Sequence, residues 1–330
     1  MSVTVNRPWE PGYSGMATFC KVPLALAPED LHGVDAAILG VPLDGRVTNR
    51  PGARFGPRAI RQACPGSSPT RPHVGLGVDP LVELQVVDYG DIEPTPSGWD
   101  RDVEIVRARV SDILAADAIP IVLGGDHSLA LATQSAVAEH VGERGFHIVQ
   151  FDTHTDTSPA VNGKLTHGTP MRLLVEGGVV DGDQIVQLGL RGYWPDTTVF
   201  DWMRSVGMRW HLMDEIEERG IDPIVSDVIA EIERRDVPVY LSVDVDVLDP
   251  AFAPGTGTPE PGGLTTRELL RAIRRIAAAV PVIGMEVVEV APPYDQADIT
   301  ALAAHRCVLE VLSAIAARQR DLASLNAATP

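Results

Sequence analysis

Short apolar runs alternate with longer amphipathic segments along this chain from Val34 onward. The apolar runs, rich in Val, Ile and Leu, predict strands at residues 36–41, 82–88, 119–123, 147–152, 184–190, 208–211, 238–244 and 282–290. The amphipathic segments predict helices at residues 57–63, 100–116, 129–141, 170–176, 199–206, 223–235, 266–280 and 300–325. Apolar strands separated by helices indicate an α/β fold with a mostly parallel sheet covered on both faces.

About eight strands with interleaved helices are compatible with either a closed barrel or an open doubly wound sheet. We expect the open sheet, because candidate chemical groups follow only a few of the strands. Residues 1–33 are rich in Pro, Gly and Trp, lack a clear period, and are predicted to form an N-terminal arm. With no repeat or linker beyond them, residues 34–330 are predicted to form a single catalytic domain.

Composition narrows the classes of partner and compartment. Hydrophobic residues make up 45% of the 330 residues and the formal net charge is −18, which disfavours nucleic acid and anionic membrane surfaces as partners. The acidic balance is compatible with a cationic substrate, although solubility alone would explain it. Three scattered cysteines suit reduced, incidental thiols, and the N-terminus has no signal-peptide core. We therefore expect a cytoplasmic protein.

Histidines and aspartates follow three of the apolar runs at the point where each ends. They are His127, then Asp152, His154 and Asp156, then Asp244 and Asp246. The i, i+2, i+4 spacing of the second group places alternate side chains on one side of an extended chain. Both candidate architectures bind ligands at the carboxyl ends of their strands, which is where all six residues lie.

These residues predict a site for two divalent cations. A single Asp-x-Asp is more often a turn or helix cap, and the His127 motif alone has about even odds of being a cap. Three such motifs together disfavour the capping interpretation, because burying unpaired charges is unfavourable in free energy. Carboxylates with two imidazoles and no thiolate favour Mn²⁺ over Fe, Co, Ni or Zn. The expected chemistry is metal-assisted hydrolysis.

The motifs, taken in order, resemble those of the ureohydrolases, the arginase and agmatinase family. The resemblance rests on Gly-Gly-Asp-His-Ser at 124–128, Asp-Thr-His-Thr-Asp at 152–156, and the Pro/Gly-rich run at 242–263. It extends to residues 50–57 and 288–295 and covers roughly residues 34–315. The agmatinase and guanidino-acid hydrolase branch is the most similar part of the family.

This resemblance implies a three-layer α/β/α fold, two Mn²⁺ ions per subunit, hydrolysis of a guanidinium group to urea, and a homo-oligomer (trimer or hexamer). The six residues above would hold the metals, with Asp152 and Asp244 bridging them. His127 and Asp156 would complete one metal site, and His154 and Asp246 the other.

The resemblance also assigns catalytic and substrate-binding residues. His167 matches the proton-shuttling histidine, and Glu289 matches the carboxylate that pairs with the guanidinium. Thr258 matches a threonine near the reacting centre. The remaining expected residues are Asp156 for catalysis and Asn162 and Arg191 for substrate contact.

The substrate tail is left open by the sequence. Candidates are agmatine, 4-guanidinobutyrate, 3-guanidinopropionate, a proclavaminate-type guanidino acid, arginine and guanidine. Tail contacts are expected from the loops at 46–49, 157–166 and 191–194, where Arg46, Lys164 and Arg191 could pair with a carboxylate.

The sequence departs from the family pattern at two positions, and two alternative functions are compatible with it. Thr153 stands where Ala is usual, and Glu286 replaces the more usual Asp, which bears on local packing only. A deacetylase-like hydrolase would use one metal, and a catalytically silent oligomeric scaffold or regulator of the same fold would hold none.

Overall fold

A sheet of parallel strands forms the centre of the computed structural model, which describes residues 12–64, 72–94, 98–160, 165–193 and 195–328. The strands are β1 Ala36–Val41, β2 Val86–Asp91, β3 Ile119–Gly124, β4 His147–Phe151, β5 Ile185–Leu190, β6 Arg209–Leu212, β7 Val239–Asp244 and β8 Val282–Val288. Their spatial order is β2-β1-β3-β8-β7-β4-β5-β6. Among the described residues, β2 and β6 are edge strands that do not pair with each other. The predicted open sheet is therefore confirmed.

Helices cover both faces of this sheet. They are α1 Gly56–Gln62, α2 Pro80–Glu83, α3 Trp99–Ala115, α4 Ala130–Val141, α5 Pro170–Glu176, α6 Thr197–Ser205, α7 Met213–Arg219, α8 Ile221–Arg235, α9 Thr266–Ala279 and α10 Ile299–Ala328. In β1, Ile38 packs into one hydrophobic core and Leu39 into the other, as alternation along a strand requires. Burying both faces explains why the strands are apolar throughout.

The predicted strand at 82–88 is wrong over its first half. The side chain of Asp79 accepts a hydrogen bond from the backbone N–H of Leu81, and Pro80 occupies the first helical position, so a short helix forms first. β2 then begins only at Val86. Helix α7 was not predicted, because its seven residues directly follow β6 without an intervening loop signal.

Helix α10 is long and apolar enough over Ile299–Ser324 to cross a membrane by length and composition alone. In the folded protein, 78% of that apolar window is buried. The apolar character is thus used to cover the sheet and α9, as expected of a core helix.

The described part of the predicted arm, residues 12–33, packs on this same side of the protein. Leu24 forms a parallel bridge with Asp88 of β2. The ring of Phe19 stacks on His305 of α10, with ring centroids 4.4 Å apart. These contacts attach the arm to the domain.

Candidate metal centre and active site

Four adjacent central strands, β3, β8, β7 and β4, deliver the candidate groups to one edge of the sheet. His127 follows β3, Asp152 follows β4, Asp244 ends β7 and Glu289 follows β8. The first of these turns depends on Gly125, where a Cβ atom would lie 1.9 Å from the carbonyl oxygen of Leu43. Any other residue would push His127 away from the other strands.

The first candidate metal-ligating group surrounds His127. Its Nδ1 atom lies 2.8 Å from Oδ2 of Asp156, 3.1 Å from Oδ2 of Asp152 and 3.5 Å from Oδ2 of Asp244. All four side chains are buried. His127 Nδ1 has no hydrogen-bond partner among the described residues, so its lone pair is available to a cation.

The second group lies directly beside the first. Nδ1 of His154 is 2.9 Å from Oδ2 of Asp246 and 3.7 Å from Oδ1 of Asp152. Asp152 belongs to both groups, as expected of a bridging carboxylate. Asp244 groups with His127 and Asp152 and accepts the backbone N–H of Asp246 through its Oδ1 atom at 2.9 Å. The six predicted residues are thus brought together.

The raised pKa values of two buried aspartates indicate that this cluster is stabilised by bound positive charge. Burial and the neighbouring carboxylates of Asp156 and Asp246 raise the pKa of Asp152 to about 7. The same causes, burial first and then Asp246, raise the pKa of Asp244 well above its ordinary value. Packing four carboxylates this closely costs free energy unless cations compensate them. The donor set therefore fits a two-cation site.

A buried polar chain orients His127 toward that site. Nε2 of His127 donates to Oγ of Ser242 at 2.8 Å, and Ser242 donates to Oε1 of Glu286 at 2.8 Å. Glu286 also accepts from Gln134, Thr133 and Tyr240. Because Nε2 carries the proton, Nδ1 is left as the ligand atom.

This role of Glu286 and Ser242 was not predicted from the sequence. The sequence predicts that Glu286 affects local packing only. Its carboxylate in fact accepts a hydrogen bond from Ser242, the residue that orients His127. The sequence signal for this role is the presence of a charged residue inside an apolar strand. Such a residue requires several hydrogen-bond partners once it is buried.

His167 and Glu289 form a second functional pair beside the cluster. Nδ1 of His167 lies 2.8 Å from Oε1 of Glu289, which also accepts the backbone N–H of His127 at 2.8 Å. Burial opposes protonation, but the Glu289 carboxylate raises the pKa of His167 to about 9. Oε2 of Glu289 is buried without a hydrogen-bond partner in the described part of the chain, so it is an unpaired acceptor beside the cluster.

Thr48 holds the other nitrogen of His167. Its hydroxyl lies 2.8 Å from Nε2, and its backbone N–H points at the same atom at 3.2 Å. A backbone N–H needs an unprotonated nitrogen as its acceptor, so Thr48 favours the neutral imidazole and counteracts Glu289. Thr48 was predicted only as part of the 46–49 loop.

Two of these residues adopt a strained backbone. Asp156 has φ of 49° and Glu289 has φ of 65°, a region that side chains other than Gly rarely enter. At Glu289 this ends β8 two residues before the predicted strand end. Strain of this kind persists where the surrounding structure enforces it, and it is concentrated at functional sites.

The cluster opens into a cavity of about 700 Å³. Its lining includes His127, His154, Asp156, Asp244, His167, Thr48 and Thr258. Thr258 donates to Oδ2 of Asp246 at 3.4 Å, which places its hydroxyl at the metal cluster. Among the described lining residues there is no Lys or Arg. Asn162 and Lys164 lie outside the described residues.

Arg191 is engaged elsewhere. Its guanidinium donates to backbone carbonyls of Asp246, Glu260 and Val247, at 2.8, 2.6 and 3.1 Å, and to others nearby. These bonds tie together the loop that follows β7. These contacts give Arg191 a structural role, and its contact with the substrate stays a prediction.

Comparison with known proteins gives a consistent result. The Arginase family profile matches residues 34–313. Proclavaminate amidinohydrolase of Streptomyces clavuligerus is 39% identical over 307 residues, covering 92% of this chain and 94% of that protein. Agmatinase of Chromobacterium violaceum is 39% identical over 303 residues, covering 91% and 88%. The solved Streptomyces clavuligerus structure superposes with a TM-score of 0.84 at 37% identity, covering 94% of this chain and all of that one.

Proposed function

This chain belongs to the arginase family, and we propose that it hydrolyses a linear guanidino compound to urea and a primary amine, with agmatine as the first candidate and putrescine as its product. The observation that carries the proposal is the His167–Glu289 pair, held beside two groups of candidate metal-ligating side chains, with His167 lining the cavity into which those groups open. The metal cluster alone would suit many hydrolases. An adjoining buried carboxylate with one unpartnered oxygen suits a guanidinium in particular.

We propose two Mn²⁺ ions per subunit as the cofactor. His127, Asp152, Asp156 and Asp244 would hold one ion, and His154, Asp152, Asp244 and Asp246 the other. The oxygen-rich donor set without thiolate supports Mn²⁺ over softer ions. When bound, such ions supply Lewis-acid charge and acidify a water molecule, which is the chemistry that this hydrolysis requires.

The side chains of this chain would carry out the remaining steps. Oε2 of Glu289 accepts an N–H of the substrate guanidinium and fixes its plane within the cavity. His167 takes up on its Nε2 atom a proton released in the hydrolysis and delivers it to the departing amine, while Glu289 stabilises the charged imidazole through Nδ1. Thr48 keeps the ring oriented, since its hydroxyl can either donate to Nε2 or accept from it.

The substrate tail distinguishes two candidates. A cavity whose described lining holds aspartates, threonines and no Lys or Arg supports an uncharged or amine tail, as in agmatine. The second candidate is a guanidino acid, such as 4-guanidinobutyrate, 3-guanidinopropionate or a proclavaminate-type compound. It is supported by the 39% identity to proclavaminate amidinohydrolase.

Urea release from a panel of these compounds by the Mn²⁺-loaded protein tests the proposal. We expect turnover of at least one compound, with agmatine preferred over the guanidino acids. Asp152→Asn is the negative control, because it removes the carboxylate shared by both metal groups. If no compound yields urea above the level of Asp152→Asn, the proposed function is wrong. A preference for guanidino acids would replace agmatine with the second candidate.

We further propose a cytoplasmic homo-oligomer, a trimer or hexamer. Enzymes of the arginase family are commonly oligomeric, which supports an assembly without specifying its size. Light scattering coupled to gel filtration would give the mass, and a monomer would contradict this part of the proposal. Cell fractionation tests the compartment.

A further inference from the structure

Two cysteines and a histidine meet on the side of the protein where the N-terminal arm packs. Sγ of Cys20 lies 3.3 Å from Nε2 of His305 and 3.5 Å from Sγ of Cys64. One ligand atom from each of the three residues lies within 4.8 Å of the others. They come from three distant parts of the sequence: the arm, the segment just after α1, and the second turn of α10. None belongs to the active-site cluster.

The orientation of His305 suits a ligand. Its Nδ1 atom lies 2.9 Å from the backbone carbonyl oxygen of Ile60, which can only accept a hydrogen bond. Nδ1 therefore carries the proton of the neutral ring, and the lone pair of Nε2 faces Cys20. Metal-binding histidines are commonly fixed in this way by a carbonyl on their other nitrogen.

The distances between the candidate ligand atoms are close to those of a tetrahedral zinc site. Zn–S bonds of about 2.3 Å and Zn–N bonds of about 2.1 Å place two sulfurs about 3.8 Å apart, and sulfur and nitrogen about 3.6 Å apart. The observed separations are about 0.3 Å shorter, a small adjustment on binding. A disulfide would instead need the two sulfurs to approach within about 2.05 Å.

The backbone conformation at Cys20 also supports a functional role for this residue. Cys20 and Lys21 have φ of 47° and 63°, so two consecutive residues other than Gly adopt the left-handed region. This turn directs a side chain with 3% exposure into the core. Left-handed backbone is unfavourable at residues other than Gly, and a bound ion would offset that cost.

From these observations we propose that Cys20, Cys64 and His305 bind one thiophilic divalent cation of the zinc class. The two thiols lose their protons to solvent, and the resulting thiolates neutralise the dication inside the protein. Cys64 is partly exposed, which leaves room for water as a fourth ligand on that side. The ion would fasten the arm to α1 and α10. This proposal does not depend on the proposed enzymatic function.

Cobalt substitution gives a direct test, because thiolate ligands produce a near-ultraviolet charge-transfer band and carboxylate and imidazole ligands do not. The full chain is first loaded with Mn²⁺ and reduced, then titrated with Co²⁺, and Zn²⁺ is added to displace it. We expect the band in the wild-type protein and its loss on adding Zn²⁺. A wild-type protein without the band would overturn the proposal.

Cysteine variants identify the thiols that produce the charge-transfer band. Cys20→Ser and Cys64→Ser should each abolish it and lower the zinc content by about one ion per chain. Cys307→Ser is the matched control, since that buried thiol lies outside the cluster and burial raises its pKa. Circular dichroism in the absence of zinc confirms that each variant folds. Retention of the band in Cys20→Ser would contradict the assignment.

Thiol titration of the denatured, unreduced protein separates the proposal from disulfide formation. We expect all three cysteines of the chain to react. If only one reacts, and the other two are recovered as a Cys20–Cys64 disulfide, the site is a covalent link and the metal assignment is wrong.

Discussion

Oε1 of Glu289 lies 2.8 Å from Nδ1 of His167, so the carboxylate expected to bind substrate also orients the histidine expected to move the proton. The same oxygen accepts the backbone N–H of His127, which follows β3. One buried group thus links the proposed proton-transfer residue to the candidate metal cluster, and its Oε2 atom has no other partner among the described residues. Substrate binding and catalysis should therefore fail together when this carboxylate is changed.

Glu289→Gln tests this double role. Loss of the charge removes the stabilisation of protonated His167 and weakens the hold on the guanidinium. We expect kcat to fall roughly 100-fold or more, with a higher KM, while Mn²⁺ content is kept. Steady-state kinetics and metal analysis provide the measurement. A variant with altered KM and unchanged kcat would show that Glu289 binds substrate only.

Thr48→Val removes the hydroxyl that contacts Nε2 of His167 but keeps the side-chain shape. One such hydrogen bond contributes about 0.5–1.5 kcal/mol, so kcat should fall roughly 2- to 10-fold. Thr48→Ser retains the hydroxyl and is the matched control. Equal kinetics for the two variants would mean that the backbone N–H alone orients the ring.

Ser242→Ala breaks the chain from Glu286 to His127. We expect Mn²⁺ affinity to fall roughly 10- to 100-fold, because the groups that orient a ligating histidine affect metal binding on this scale. Ser135→Ala is the control, since that buried hydroxyl donates only to a helix carbonyl, that of Leu131. Competition with a fluorescent chelator measures the affinity, and equal affinities in the two variants would exclude the proposed role.

Arg191→Ala should mainly affect stability. Its guanidinium holds several backbone carbonyls of the loop after β7, so we expect a loss of about 2–4 kcal/mol in the free energy of unfolding. Arg204→Ala removes an exposed ion pair with Asp201 and a contact 5.5 Å from the centroid of the Trp210 ring, and should cost under about 1 kcal/mol. Urea unfolding makes the comparison. A selective rise in KM for guanidino acids, at unchanged stability, would restore Arg191 to the substrate site.

His147 predicts a specific dependence of stability on pH. Burial and the charge of Arg209 lower its pKa from 6.5 to about 4. In the unfolded chain the ring takes up a proton below pH 6.5, whereas the folded protein resists protonation, so its contribution is complete above that pH and is lost on acidification toward pH 4.

The size of this effect is about 3 kcal/mol over that pH interval. His147→Gln should therefore show a shallower decline in the free energy of unfolding between neutral pH and pH 4 than the wild-type protein. His140→Gln, at an exposed position, should not. Parallel slopes for His147→Gln and the wild-type protein would contradict the predicted linkage.

The hydrophobic pattern determined the class of fold, and the His and Asp residues that follow its apolar runs determined the location of the candidate metal cluster. Parallel strands must be buried on both faces, so β1, β3 and β7 carry an unmistakable apolar signal, and residues that end such strands share one edge of the sheet. The grouping of His127, Asp152 and Asp244 follows from these two facts. The sequence was less reliable at β2, where Asp79 and Pro80 begin a short helix that local apolar content does not reveal.

Only the tertiary structure decided which partner each polar group has. Thr48 and His167 are 119 residues apart, and Ser242 and His127 are 115 apart, so no local pattern pairs them. The partners of Arg191 are likewise not predictable from local pattern: it lies in a predicted substrate loop and donates to backbone carbonyls. The same holds for Cys20, Cys64 and His305, scattered in sequence and adjacent in space. Periodicity reports which side of an element is buried, whereas hydrogen bonds and ligand sets depend on how distant elements are brought together.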